Sequence, residues 1–211
     1  MNANLFPRVA GVLFSSVLSR GNKSAVYLTF DDGPDPNFTP KVIDILAEHN
    51  AKATFFITAK KALIEPQLVR RICAQGHSIG THGYFHRSML FASKIWAREE
   101  LGRSVKVIED ISGREIEFFR PPYGRFNHAV YQAARRMNLT IALWSLSLMD
   151  WQLQPAERLA ENFRQSLSQG SIVLLHDSGK GVESLLEALP SMLAASAEKK
   201  FSFQTLDHAA L

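Results

Sequence analysis

Short apolar runs rich in β-branched and aromatic residues, separated by helical patterns, constrain this chain more than any other feature. The runs lie at 25–30, 53–58, 78–81, 117–120, 140–146, 171–175 and 201–206. Their length and composition predict seven strands. Helical periodicity fills the gaps at 41–49, 66–75, 93–111, 127–137, 155–168 and 182–197. Thr39-Pro40 opens the first helix as a cap and a first-turn proline, with Val42, Ile43 and Leu46 on one face. Glu65-Pro66 opens the second, which ends before Gly76. Strands alternating with helices predict an α/β fold, a parallel sheet covered by helices. No glycine-rich phosphate turn accompanies them, which points to a barrel over an open doubly wound sheet, although alternation alone is compatible with both. At 211 residues, 46% hydrophobic and 21% charged, the chain has the makings of one ordinary core, and the disordered and fibrous classes are excluded.

The chemistry-bearing residues fall in one register. Asp31-Asp32 follow the first strand, and His82 and His86 follow the third. Arg120 ends the fourth, Asp150 follows the fifth, and His176-Asp177 follow the sixth. All lie at C-terminal strand ends, where parallel α/β barrels assemble active sites. Adjacent carboxylates on an extended segment point to opposite sides, so one of Asp31 and Asp32 can bind a metal while the other faces substrate or water. The same residues also suit a plain Asp-capped turn. His82 and His86, four apart, share a face if their segment is helical. Two His and one carboxylate leave coordination positions open, as catalytic metal sites do. His77, at the entry to the third strand, reads as structural.

Five motifs in order carry a resemblance. Thr29-Phe30-Asp31-Asp32-Gly33-Pro34, His82-x-x-x-His86, Arg120-Pro121-Pro122-Tyr123-Gly124, Asp150-Trp151 and Leu174-Leu175-His176-Asp177 resemble those of the polysaccharide deacetylases of the NodB-homology type, carbohydrate esterase family 4. The likeness runs from Ala25 to the C-terminus. It implies a distorted (β/α)7 barrel, TIM-barrel-like, with parallel strands and outer helices. It also implies a metal-dependent hydrolase that removes N-acetyl groups from N-acetylglucosamine-containing glycans. Asp31 would be the general base, with Arg120 as its partner, and Asp32, His82 and His86 the metal ligands. His176 would be the general acid, oriented by Asp150. Tyr123 would offer its backbone N–H to the oxyanion, and Trp151 and Leu174 would line the pocket for the acetyl methyl. The metal is divalent, zinc foremost, with cobalt or nickel able to take the same donors.

Those roles are physically coherent. A zinc-like ion polarises a poor electrophile and acidifies water. A guanidinium beside Asp31 favours its ionised form. A carboxylate-held imidazolium can protonate a departing amine near neutral pH. Two departures from the family pattern bear on this reading. Gly83 replaces the hydroxyl residue that usually follows the first His, which predicts weaker support for the second His. Ser147 stands where an Asp often precedes Asp-Trp.

The rest of the chain bounds partners and place. The net charge of +4 comes without a basic run, so no nucleic-acid partner is expected. The lone Cys73 falls in a helix and reads as a small buried hydrophobe. Residues 1–22 form an apolar or amphipathic extension ahead of a catalytic domain at 23–211, and 5–18 could touch a membrane surface. No clean signal-peptide cleavage site follows that stretch, so a cytoplasmic or membrane-associated location is expected over secretion. Two alternatives stand beside the leading one. The same site could deformylate or deacetylate a lipid-linked amino sugar, or the barrel could be a catalytically silent carbohydrate binder.

Overall fold

The computed structural model describes residues 16–23, 25–198 and 201–206. Its strands are β1 (Val17–Leu18), β2 (Tyr27–Asp31), β3 (Ala53–Ile57), β4 (Ser78–Thr81), β5 (Phe118–Phe119), β6 (Thr140–Ala142), β7 (Leu146–Ser147) and β8 (Ile172–His176). The helices are α1 (Thr39–Glu48), α2 (Ala59–Ile64), α3 (Pro66–Ala74), α4 (Lys94–Ser112), α5 (His128–Arg136), α6 (Ala156–Ser166) and α7 (Val182–Glu198). The strands form one parallel sheet in the order β1-β6-β5-β4-β3-β2-β8-β7.

That order forces the sheet to curl. β6 and β7 lie six positions apart in it, which in a flat sheet would be about 29 Å at roughly 4.8 Å per strand. Only Leu143, Trp144 and Ser145 join them, and that linker spans at most about 14 Å. The sheet therefore bends round on itself into a distorted α/β barrel. β2 and β3 are buried at every position, as strands with both faces covered must be. Phe30 stacks on Phe55 at 5.2 Å inside this core. Val42, Ile43 and Leu46 of α1 are buried as their spacing predicts, and α3 ends at Ala74, before Gly76.

The strand list differs from the expected seven. The run at 140–146 breaks into β6, which pairs with β5, and β7, which pairs with β8. β1 comes from the apolar N-terminal stretch and pairs with β6, so residue 22 is not where the sheet begins. The other part of that stretch, residues 1–15, lies outside the described residues. The segment 201–206 contributes one bridge, Phe203 to Val26. β2 is already paired with β3 on one side and β8 on the other, so its ladder has no free edge for a further strand. The segment instead closes the N-terminal end of the barrel, where Leu206 N–H donates to Thr54 Oγ1 at 2.8 Å. The short helix α2, six residues without room for a periodic signal, was not expected. Among the described residues no helix is long and apolar enough to cross a membrane.

Candidate active site

Asp31, the last residue of β2, is 3% exposed and faces Arg120, which directly follows β5 and is fully buried. Arg120 Nη1 donates to Asp31 Oδ1 at 2.8 Å and to Thr29 Oγ1 at 2.6 Å. Its Nε and Nη2 donate to the carbonyls of Ala142 and Leu143 at 2.8 and 2.7 Å. These are the carbonyls at the break between β6 and β7. One guanidinium thus holds Asp31 and also satisfies the backbone at the split in the barrel wall. Burial pushes Arg120 down from its ordinary value and Asp31 opposes this. A guanidinium starts so high that it stays charged.

Asp32, His82 and His86 converge at the same mouth, with one ligand atom from each within 4.8 Å of the others. Their segment is a turn, not a helix. Gly83 at φ 80 and His86 at φ 54 turn the chain back, bringing the two imidazoles to 4.9 Å between centroids. Asp32 Oδ1 lies 3.4 Å from His82 Nε2 and 3.0 Å from His86 Nε2, yet this buried oxygen makes no hydrogen bond of good geometry. Burial would raise the Asp32 carboxyl, but the two imidazoles hold it well below the usual carboxylate range.

The tautomer of His82 makes the arrangement diagnostic. Its Nδ1 is 2.7 Å from the carbonyl oxygen of Arg120. A carbonyl can only accept, so Nδ1 carries a proton; the neutral ring then turns its Nε2 lone pair toward Asp32, and the protonated ring an N–H, the state in which it lowers Asp32. With that ring neutral, the Asp32 oxygen and the His82 Nε2 lone pair face each other at 3.4 Å and need a positive charge between them, a proton or a metal ion. Ligands at zinc-like bond lengths of about 2.0–2.1 Å in tetrahedral geometry are about 3.3 Å apart. The donors and their spacing therefore fit a divalent metal.

On the opposite side of the mouth, Asp150 Oδ1 lies 3.0 Å from His176 Nδ1 and Asp150 Oδ2 accepts from His176 N at 2.7 Å. Burial alone would lower this imidazole. The Asp150 hydrogen bond, with the charges of Asp150, Asp31 and Asp32, outweighs it and raises His176 to about 9. Trp151 packs edge-on against His176 at 5.3 Å and is 40% exposed. Leu174 is buried, pairs with Thr29, and shares the inward face of β8 with His176 one level above. Tyr123 sits in a left-handed turn at φ 60, its ring 4.8 Å from His86. Ser147 accepts from Met149 N at 3.3 Å, so the loop that delivers Asp150 keeps a side-chain anchor where the family often has Asp. His77 is the structural residue expected. Its Nδ1 accepts from Ala53 N at 3.3 Å, and burial, then the charge of Lys52, pushes it down to about 4. Cys73 is buried in α3, and burial pushes its thiol up.

Several contributors had no role in the sequence reading. Thr29 precedes Asp31 by two, so it shares the inward face and meets Arg120. Lys61 of α2 donates from Nζ to Asp32 O at 2.7 Å and to Ser178 Oγ at 2.6 Å. Nothing in the sequence marks it, because α2 itself is not periodic. Glu100 and Ser104 were detectable. They fall with Ala97, Leu101 and Ile108 on the buried stripe of α4, where a polar residue needs a partner.

The Asp31–Arg120 and Asp150–His176 pairs and the Asp32, His82 and His86 cluster thus meet at the C-terminal mouth of one parallel barrel. Residues 19–142 match the family model described as polysaccharide deacetylase, so this chain belongs to the polysaccharide deacetylase family, hydrolases of carbon–nitrogen amide bonds. A peptidoglycan-N-acetylglucosamine deacetylase of Bacillus cereus is 34% identical over 186 residues, 88% of this chain and 68% of the relative. The crystal structure of the Bc1960 peptidoglycan N-acetylglucosamine deacetylase, in complex with 4-naphthalen-1-yl-N-oxidanyl-benzamide, superposes with a TM-score of 0.87 at 33% identity, covering 90% of this chain and 91% of that one. A CE4 family pseudoenzyme from Bacillus anthracis superposes with a TM-score of 0.85 at 25% identity, covering 92% and 68%. The barrel alone therefore does not decide turnover.

Proposed function

We propose that this protein removes N-acetyl groups from an N-acetylglucosamine-containing glycan, peptidoglycan or chitin-like, with a divalent metal held by Asp32, His82 and His86. The observation that carries the reading is the unpaired Asp32 oxygen facing a His82 nitrogen whose proton is committed to the other side of the ring. When bound, a divalent cation there supplies charge that polarises an amide carbonyl and makes water more acidic.

The chain's own groups carry the proton traffic. Asp31, held in place by Arg120, takes a proton from the attacking water as the new C–O bond forms. The backbone N–H of Tyr123 donates to the oxygen that gains negative charge. His176, with Asp150 on Nδ1, gives the proton on Nε2 to the amide nitrogen as the C–N bond breaks, leaving acetate and the amino sugar. Asp150 keeps that imidazole protonated and aimed. Leu174 and Trp151 form an apolar wall around the methyl, which separates acyl groups differing by a methylene by only about 1–3 kcal/mol.

The test is the zinc-loaded protein incubated with N-acetylglucosamine oligomers, peptidoglycan fragments and a formamido sugar, with acetate and formate quantified with and without chelator. Chelator-sensitive acetate supports the reading. Formate alone moves it to a formylated amino sugar, and glycan binding without either product makes the barrel a silent binder. Asp31→Asn should keep the metal and lower turnover by about 10²–10⁴-fold. Wild-type turnover in that variant removes Asp31 as the base.

A further inference from the structure

The turn that presents His86 lacks the hydroxyl residue its family pattern places at 83, and it is held from elsewhere. Gly83 stands at φ 80, a backbone that side chains rarely adopt. A Cβ there would also press on Met89 Cε at 3.3 Å and approach Glu100 Oε1 at 3.6 Å. The support comes from α4. Glu100, 7% exposed, turns one carboxyl oxygen onto two successive backbone N–H groups, Tyr84 N at 2.9 Å and Phe85 N at 3.2 Å. Those peptides immediately precede His86. On the other side of the turn, the carbonyls of Gly83 and Tyr84 accept from Ala59 N and Lys60 N of α2, at 3.0 and 3.2 Å. Gly83 N donates to Thr81 Oγ1 at 3.2 Å, and Thr81 in turn meets Ser104 of α4. Arg103 lies over the Tyr84 ring at 3.8 Å and donates to its hydroxyl at 2.8 Å.

We propose that Glu100 is a positioning residue for the metal centre, its carboxyl replacing the missing hydroxyl by fixing the turn that aims His86 at Asp32 and His82. The inference rests on the reading that these three residues hold a metal. Without the Glu100 oxygen, the buried Tyr84 N–H and the part-buried Phe85 N–H lose their acceptor, the turn rotates to find others, and His86 leaves the position in which its Nε2 lies 3.0 Å from Asp32 Oδ1. Glu100 touches no ligand side chain, so its effect passes through backbone alone. A glutamine at 100 keeps an acceptor oxygen of the same reach.

The experiment is zinc titration of the metal-free full chain, by competition with a chromophoric chelator, for wild type, Glu100→Ala, Glu100→Gln and Glu100→Met, with the melting temperature of each metal-free protein measured alongside. Glu100→Met fills the space without an acceptor and serves if the alanine variant does not fold. Zinc affinity should fall about 10–100-fold in Glu100→Ala and Glu100→Met, and Glu100→Gln should recover most of it. A folded alanine or methionine variant with wild-type zinc affinity, whatever its melting temperature, overturns the proposal and leaves Glu100 a packing residue. A glutamine variant as weak as the alanine one overturns it too, because an acceptor oxygen would then not be what matters. If the wild-type chain takes up no zinc, the metal reading falls first and this inference with it.

Discussion

The two walls of the mouth deal with buried polarity in opposite ways. On the acid side Asp150 uses both oxygens on one residue, the ring and the backbone N–H of His176, and the pair is complete as it stands. On the metal side Asp32 Oδ1 is buried with no hydrogen-bonded partner, and left-handed backbone at Asp32 and His86 holds the donors in place. Such backbone costs on the order of 1–3 kcal/mol per non-glycine residue, and persists when its surroundings over-determine it. One wall is self-sufficient, and on the proposed function the other is built around a charge the chain does not itself provide. The acid wall should therefore hold its geometry with or without metal, and the metal wall should not.

The largest expected effect breaks that contrast at its weaker side. Removing the metal should abolish turnover, and zinc should restore it. His82→Ala should be inactive in either state. Stability should follow: zinc at 100 times its dissociation constant should stabilise the wild-type fold by about 2.7 kcal/mol, and His82→Ala should gain far less. Melting curves with and without zinc decide this. An equal zinc response in both proteins would mean that the cation sits elsewhere.

A smaller effect is expected at the acid wall. Asp150→Asn removes the carboxylate charge that, through its hydrogen bond and its field, raises His176 to about 9. Only the charges of Asp31 and Asp32 then oppose burial, so the imidazole falls from about 9 and less of it is protonated to donate at pH 7. Turnover should fall by about 10²–10⁴-fold, with residual activity rising as pH is lowered. Zinc affinity should stay at the wild-type level. In the wild type, metal charge near Asp31 and Asp32 offsets two of the contributions that raise His176, so zinc should shift its imidazole titration downward. Imidazole proton resonances followed against pH test both points. A titration that zinc leaves in place would separate the two walls electrostatically.

How much of this could be read from the sequence follows the range of the interactions. Asp31, Asp32, His82, His86, Arg120, Asp150 and His176 were legible because strand alternation puts each at a C-terminal end, and the family motifs order them. The split of 140–146 was not legible, because it depends on β5 and β8 lying on either side of one run and on Arg120 satisfying the carbonyls at the break. β1 was hidden for the same reason. Two residues carry no periodicity, and only their partner β6 makes them a strand. The convergence of His82 and His86 was legible from residue type, while helical spacing was only one way to reach it; a turn at Gly83 does so instead. Glu100 lay on an apolar helical stripe, a signal available in the sequence and passed over.

The smallest effect on chemistry concerns a third carboxyl, Asp177, and sharpens the contrast by showing what a buried carboxyl does with neither wall's solution. It directly follows His176 and is fully buried. Oδ2 accepts from Thr39 Oγ1 at 2.5 Å, while Oδ1 has no partner. Gly33 packs so close that a Cβ there would collide with the carboxyl. Burial raises Asp177 to about 7, against the Thr39 bond and the charge of Lys61. A carboxyl raised above its unfolded value binds its proton more tightly when folded, so its contribution to stability is fully present below about 3.8 and is lost as pH rises through about 7. Asp177→Asn mimics the neutral carboxyl and still accepts from Thr39. Denaturant unfolding of the metal-free protein should therefore give the variant and the wild type similar stability near pH 4, with the variant the more stable at pH 8. Turnover should change little, because Asp177 takes no part in proton transfer. If the wild type is the more stable at pH 8, Asp177 is ionised in the fold and held by Lys61, and it belongs with Asp31 and Asp150 as a carboxylate completed by its own chain.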